Sequence, residues 1–270
     1  MNDLISINLT TFNRCELLPR AINGVLEQTY QNWELIIVDD HSQDDTQNIL
    51  QDYRKKDKRI KVFRHPHNKG NAQARNTALK NSRGKYIAFL DDDDQWVDRN
   101  KLKKQIKVFD DSIDPRLAIV CTSVNIIDSQ SRKTAQLVKA PSDLNKHILG
   151  GNGIIYSPTV LTKRSLMTAV GGFDKSMVRG VDSEFYRTCI IKFNLKVYFL
   201  PDITTNIYEH KGSRLTPVKT FKSVKISMKT NLYLLSKYFY QYLKNPKIAM
   251  KRLRNIILSP AIYLKQKLVN

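Results

Sequence analysis

Four short apolar runs, at 4–9, 34–38, 60–64 and 86–90, alternate with segments whose apolar residues recur at helical spacing. This alternation is what most restricts the folds open to the chain. Leu17, Leu18, Ile22, Val25 and Leu26 form a stripe of i, i+3/i+4 period between the first two runs. The run Glu34-Leu-Ile-Ile-Val is apolar after Glu34, as a strand covered on both faces requires. Helices are predicted from Asp44 or Asp45 to about Lys56, and from Asn71 to Asn81 with Gly84 beyond its end. Strands separated by helices need crossover connections, so the expected class is α/β with a largely parallel sheet. Such sheets bind ligands beyond the carboxyl ends of their strands, and the loops that follow the strands are where chemistry is expected.

Those loops are acidic. Asp91-Asp92-Asp93-Asp94 follows the run Tyr86-Ile-Ala-Phe-Leu directly. Four adjacent carboxylates repel one another, and a divalent cation with a preference for oxygen ligands, Mn²⁺ or Mg²⁺, removes that repulsion and can hold nucleotide phosphates. A solvated turn capping the next helix is the plain alternative. Asp39-Asp40 adds a second pair on the same edge, able to accept from a base N–H or a ribose hydroxyl, or else to cap a helix. Arg75 lies on the predicted 71–81 helix and could neutralise a diphosphate. Asp182 and Glu184 open another predicted helix, where they serve either as first-turn acids or as a general base.

Past Asp94 the alternation loosens. A helix is predicted at 101–109, strands at 117–127 and 196–200, a helix at 182–193, and glycine joints at 150–153 and 171–172. From Thr220 onward Val224, Met228, Leu232, Leu235, Phe239 and Tyr242 recur at helical spacing, and Pro246 interrupts the pattern. Charge divides the chain at the same place. Of 45 Lys and Arg, 14 fall in 211–270, where there is no Asp or Glu, leaving 31 basic against 25 acidic residues in 1–210. The net charge of +20 thus belongs mostly to the last 60 residues.

With 270 residues, 41% of them hydrophobic, the chain can bury a sizeable core, which excludes a disordered protein. Cys15, Cys121 and Cys189 are too few and too far apart for a disulfide framework or a metal cluster, and fit a reducing compartment. The N-terminal residues Met1-Asn-Asp-Leu-Ile carry an acid where a signal peptide needs basic residues, so a cytoplasmic protein is expected. A pI near 9.8 also fits a nucleic-acid-binding protein, but no zinc-ligand spacing or RNA-binding aromatic signature accompanies it.

Several segments occur in the order seen in family 2 glycosyltransferases: Thr10-Thr11-Phe12-Asn13-Arg14, Gln28-Thr29-Tyr30, 34–42 (Glu-Leu-Ile-Ile-Val-Asp-Asp-His-Ser), 68–76 (Asn-Lys-Gly-Asn-Ala-Gln-Ala-Arg-Asn), 84–94 and Gly171-Gly172-Phe173-Asp174. The chain resembles that family over roughly residues 3–214. The resemblance implies a GT-A fold, a nucleotide-diphosphate sugar donor, a divalent metal and inversion at the anomeric carbon. It implies that Thr10, Phe12 and Asp40 contact base and ribose with Asp39 as their neighbour, and that Arg75 lies beside the nucleotide or diphosphate. Asp91, Asp92 and Asp93 cover the Asp-x-Asp motif; Asp93 is the expected direct metal ligand, with Asp91 and His210 as further ligands. Asp182 stands in the place of the catalytic base, with Glu184 as the alternative. His41 stands where the family commonly has Gly.

The expected organisation is a catalytic domain at 1–210, comprising a nucleotide-sugar half at 1–94 and an acceptor half at 95–210, then a basic helical region at 211–270. The expected activity is hexosyl or N-acetylhexosaminyl transfer from a UDP-sugar to a glycan or lipid-linked acceptor in cell-surface polysaccharide synthesis. A nucleotidyltransferase on a related scaffold is the other enzyme reading, and release of pyrophosphate would distinguish it. Basic amphipathic helices bind anionic lipid, so peripheral contact with the inner face of the cell membrane is expected, and no nucleic acid.

Overall fold

The computed structural model describes residues 3–151, 153–177, 179–209 and 220–269. The first part of the chain alternates β1 (Ile5–Thr11), α1 (Leu18–Leu26), β2 (Trp33–Asp39), α2 (Thr46–Lys56), β3 (Ile60–Arg64), α3 (Asn71–Asn81) and β4 (Tyr86–Asp91). The second part comprises β5 (Gln95–Trp96), α4 (Lys101–Asp111), β6 (Leu117–Ile127), β7 (Lys133–Gln136), α5 (Leu144–Leu149), β8 (Leu161–Lys163), α6 (Arg164–Val170), α7 (Val181–Arg187) and β9 (Lys196–Tyr208). The helices α8 (Phe221–Lys237), α9 (Phe239–Leu243) and α10 (Pro246–Val269) follow.

Among the described residues the strands form one mixed sheet in the order β3-β2-β1-β4-β8-β6-β9-β5, with β7 paired to β6. Strands β3, β2, β1 and β4 are mutually parallel, and so are β6 and β9; β8 is antiparallel to both of its neighbours. The sheet is thus parallel where the sequence shows helical crossovers and mixed beyond Asp94.

Side-chain alternation of period two splits the core across the sheet. Ile5, Ile7 and Leu9 of β1, with Leu35 and Ile37 of β2 and Tyr86, Ala88 and Leu90 of β4, pack against α1 and α4. On the opposite face Ile87 and Phe89 meet Met167 of α6 and Phe185 of α7, while Ile36 and Val38 meet Ala74 and Ala78 of α3. The small alanines let α3 lie close to the sheet. Gly84 is required for the same reason: a Cβ there would stand 2.5 Å from the Ser6 backbone nitrogen.

Three sequence expectations need correction. The predicted 182–193 helix is α-helical only to Arg187 and continues as a wider π-helical turn, Thr188–Lys192. In the C-terminal helices, Val224 and Tyr242 are buried as expected, but Leu232 is 53% and Phe239 55% exposed, and Leu234 and Tyr238 take the buried places. The helix breaks at Tyr238, whose backbone leaves the helical region, so the apolar phase of 224–242 does not continue across that residue. Pro246 begins α10 instead of merely ending a helix, since the first helical turn needs no N–H from it.

Candidate active site

The parallel register lines up the strand ends. Thr10 pairs with Val38 on one side and Asp91 on the other, and Thr11 pairs with Asp39. The chain turns sharply after each strand there, leaving a cleft of about 810 Å³ between the ends of β1, β2 and β4 and a wall formed by Tyr156, Ser157, Asp182 and Tyr208. Thr10, Phe12, Asp40, Arg75, Asp91, Asp92, Asp93 and Asp182 all line it.

Adjacent residues of an extended strand point to opposite faces, and this separates the Asp39-Asp40 pair. Asp40 borders the cleft. Its carboxylate accepts from the backbone N–H groups of Lys69 (2.8 Å) and Gly70 (2.7 Å) and lies 2.7 Å from Nδ1 of His65. His65 in turn meets the Thr77 hydroxyl, so Asp40 ties β2 to the loop before α3. Asp39 is turned away, wholly buried, and accepts from the Ser42 N–H (2.9 Å) and hydroxyl (2.5 Å) and from Gln47, with Arg64 at 3.4 Å. Asp39 does not line the cleft; it closes the turn after β2. That turn carries His41 at φ +76°, the left-handed conformation that favours the glycine common at this position in the family.

Arg75 connects the cleft's acids. Only 3% exposed, it donates from Nη2 to Asp91 at 2.6 Å, and its Nε lies 3.3 Å from Asp182. Asn71 accepts from the same Nε at 3.1 Å. The guanidinium therefore holds two carboxylates from distant parts of the chain in one place. Burial pushes Arg75 down, but Asp182 and Asp91 more than offset it and keep the cation above its ordinary range. The Asp182 carboxylate is half-buried: its Oδ1 is the oxygen that meets the Arg75 Nε, and the residue lines the cleft.

The acidic run is divided among separate tasks. Arg14 bridges Asp92, at 3.2 Å, and Asp93, and Arg20 donates to the Asp93 carbonyl at 2.6 Å. Asp94 accepts from the Tyr208 N–H at 3.2 Å, fastening the end of β9 to the loop after β4. Burial raises Asp92 to about 7, opposed by Arg14 and reinforced by Asp93. Asp91 is raised as well, by burial against the pull of Arg75 and with the added repulsion of Asp182 and Asp93. Crowded, desolvated carboxylates of this kind suit a hard divalent cation. Among the described residues no group of three or more His, Cys, Asp or Glu side chains is set to hold a metal by itself.

Glu184 is not brought to the cleft. It is 1% exposed and engaged by Arg187, Lys237 and Tyr238, because its place two residues after Asp182 puts it round the far side of α7. His210 lies outside the described residues. Sequence reasoning assigned no role to Arg14, although it closes the first motif; an arginine three residues beyond a strand whose edge bears carboxylates was the available signal.

A parallel half-sheet with an acidic carboxyl edge, joined through an antiparallel strand to a second half that carries a further carboxylate, is the GT-A glycosyltransferase arrangement. The chain belongs to that class, and within it to Glycosyl transferase family 2, whose family profile matches residues 6–167. It is 35% identical over 161 residues to the putative teichuronic acid biosynthesis glycosyltransferase TuaG of Bacillus subtilis, a match covering 60% of this chain and 62% of that one. It is 45% identical over 105 residues to the UDP-Glc:alpha-D-GlcNAc-diphosphoundecaprenol beta-1,3-glucosyltransferase WfgD of Escherichia coli, covering 39% of this chain and 40% of that one. Both matches span less than two thirds of those relatives. The mannosyltransferase PcManGT of Pyrobaculum calidifontis, solved with GDP-Man and Mn²⁺, shares the fold over 95% of this chain and 75% of its own, with a TM-score of 0.63 and 19% identity.

Proposed function

We propose that the chain is an inverting, metal-dependent transferase that moves a hexosyl or N-acetylhexosaminyl group from a UDP-sugar to a hydroxyl of a lipid-linked glycan. The product would serve cell-surface polysaccharide synthesis. The observation that carries this reading is Asp182: a half-buried carboxylate that lines the cleft and is joined through Arg75 to the first acid of the Asp-x-Asp run. The UDP-Glc:alpha-D-GlcNAc-diphosphoundecaprenol activity of WfgD supports a UDP donor and a lipid-linked acceptor, and the complex of PcManGT with GDP-Man and Mn²⁺ supports the metal.

In this reading residues 1–94 bind the donor and 95–210 the acceptor. Thr10, Phe12 and Asp40 receive the uridine; Asp40, already held by two backbone N–H groups, presents its acceptor lone pairs at fixed positions. Mn²⁺ or Mg²⁺ held by Asp93, with Asp91 beside it, would supply neutralisation of the charge that develops on the leaving diphosphate. Arg14 contributes fixed positive charge at the same acids. Arg75 orients Asp182. Asp182 takes the proton of the attacking hydroxyl while the new C–O bond forms and the sugar–phosphate bond breaks, its electron pair leaving with UDP. A single displacement with one base inverts the anomeric centre.

The test is a panel of UDP-sugars incubated with Mn²⁺ and assayed for UDP. One sugar donor is expected to give UDP with inverted product; pyrophosphate from a nucleoside triphosphate, or retained configuration, would sink the reading.

The C-terminal helices suit the membrane surface that presents such an acceptor. Leu232, Phe239, Tyr240 and Leu243 are 53–75% exposed, and Lys225, Lys229, Lys244 and Lys247 are exposed along the same helices. No helix among the described residues is long and apolar enough to cross a membrane. An apolar ridge among lysines fits the surface of an anionic bilayer. Phe239→Ser with Leu243→Ser is expected to weaken sedimentation with phosphatidylglycerol vesicles at least about tenfold, since each buried apolar side chain contributes about 1.5–3 kcal/mol. Equal binding by the parent and the double variant would argue that the ridge serves another purpose.

A further inference from the structure

The buried ionic cluster on the far side of α7 lies outside the lining of the cleft. Glu184 accepts from Arg187 at 2.7 Å, Lys237 at 2.8 Å and the Tyr238 hydroxyl at 2.8 Å, and the same hydroxyl meets Thr188 at 2.9 Å. Lys237 also donates to the Tyr233 hydroxyl at 3.0 Å, and Tyr233 donates to Asp174 in the Gly171-Gly172-Phe173-Asp174 segment. One helix, α8, with the residue that follows it, thus grips both segments of the acceptor half that the sequence motifs mark.

The helix it grips is weak by itself. Helix α7 has seven residues, begins at Gly180 in a left-handed conformation with no side-chain cap, and passes directly into the π-helical turn. So short a helix does not hold its place through backbone hydrogen bonds alone. On the cleft side it is tied through Asp182 to Arg75, and on the opposite side through Glu184 to α8. Two cations and a hydroxyl converging on one carboxylate, 1% exposed, form a connection that is costly to break.

We propose that Glu184, Lys237 and Tyr238 are positioning residues that fix α7, and with it Asp182, at the reaction centre. The basic C-terminal segment is then a working part of the catalytic body as well as a surface anchor. This inference rests on the assignment of Asp182 as base.

The test uses the full chain with Lys237→Met and Tyr238→Phe, singly and together, and with Lys237→Arg. Amide hydrogen exchange over 181–187 is expected to accelerate about tenfold or more in the double variant while β1 and β4 keep their protection. With the donor that the parent uses, kcat is expected to fall about tenfold or more, because small displacements of a reacting group are that costly, and the donor KM to stay within about twofold. Lys237→Arg is expected to restore both. Unchanged exchange over 181–187 would overturn the inference, as would a KM that rises in proportion while kcat holds. Should the parent release no UDP from any sugar, the transferase reading fails, and the exchange experiment still decides whether α8 holds α7.

Discussion

Asp182→Asn is expected to lower sugar transfer by roughly 10²–10⁴-fold, the usual contribution of a general base. Asn matches Asp in shape but cannot take a proton. The lost carboxylate leaves Arg75 with Asp91 at 2.6 Å and Asn71 at 3.1 Å, so the buried guanidinium keeps a charged partner and the cleft keeps its form. Nucleotide affinity is therefore expected to stay within about twofold, because the proposed role of Asp182 is on the acceptor proton and not on the donor's binding. Calorimetry with UDP and Mn²⁺, beside a turnover assay, reads the two effects separately. Undiminished turnover would move the base elsewhere, and Glu184 would not be the next candidate, since its carboxylate is buried against three donors away from the cleft.

The second large effect is expected at Asp93. Asp93→Ala is expected to weaken Mn²⁺-dependent UDP binding by about 100-fold or more, since a metal ligand at a diphosphate is worth several kcal/mol. The fold should survive: Asp93 is paired at the cleft rim with Arg14, which keeps Asp92 at 3.2 Å, and the Arg20 contact is to the Asp93 backbone carbonyl. Binding measured with EDTA should be weak and alike in parent and variant. Equal affinity for UDP in the presence of Mn²⁺ would remove Asp93 from the metal role and return attention to Asp91.

The departures from the sequence reading have identifiable causes. Asp39 and Asp40 look equivalent in a string of letters, yet the pleat sends one into the turn behind β2 and the other into the cleft. Asp182 and Glu184 are equivalent as first-turn acids of a helix, and the helical angle between them puts only one beside Arg75. In the C-terminal helices hydropathy counted Leu232 and Phe239 as core and overlooked Tyr238, because a tyrosine whose hydroxyl finds Glu184 buries as well as a leucine. Arg75 itself was expected at a diphosphate, and burial between two carboxylates came only from packing α3 on the sheet through Ala74 and Ala78.

The sequence by itself determined the α/β class, the position of most strands and helices in the first 127 residues, and the acidic edge of the parallel strands. These depend on local periods of two and 3.6 and on neighbouring residue types, which a linear string records. The tertiary structure alone decided which carboxylate of each pair meets the cleft, that Arg75 joins Asp91 to a residue 91 positions further on, and that the basic tail is fastened behind the helix that carries Asp182. Those outcomes turn on the direction of single side chains and on contacts between residues far apart in the chain, and no local period encodes either.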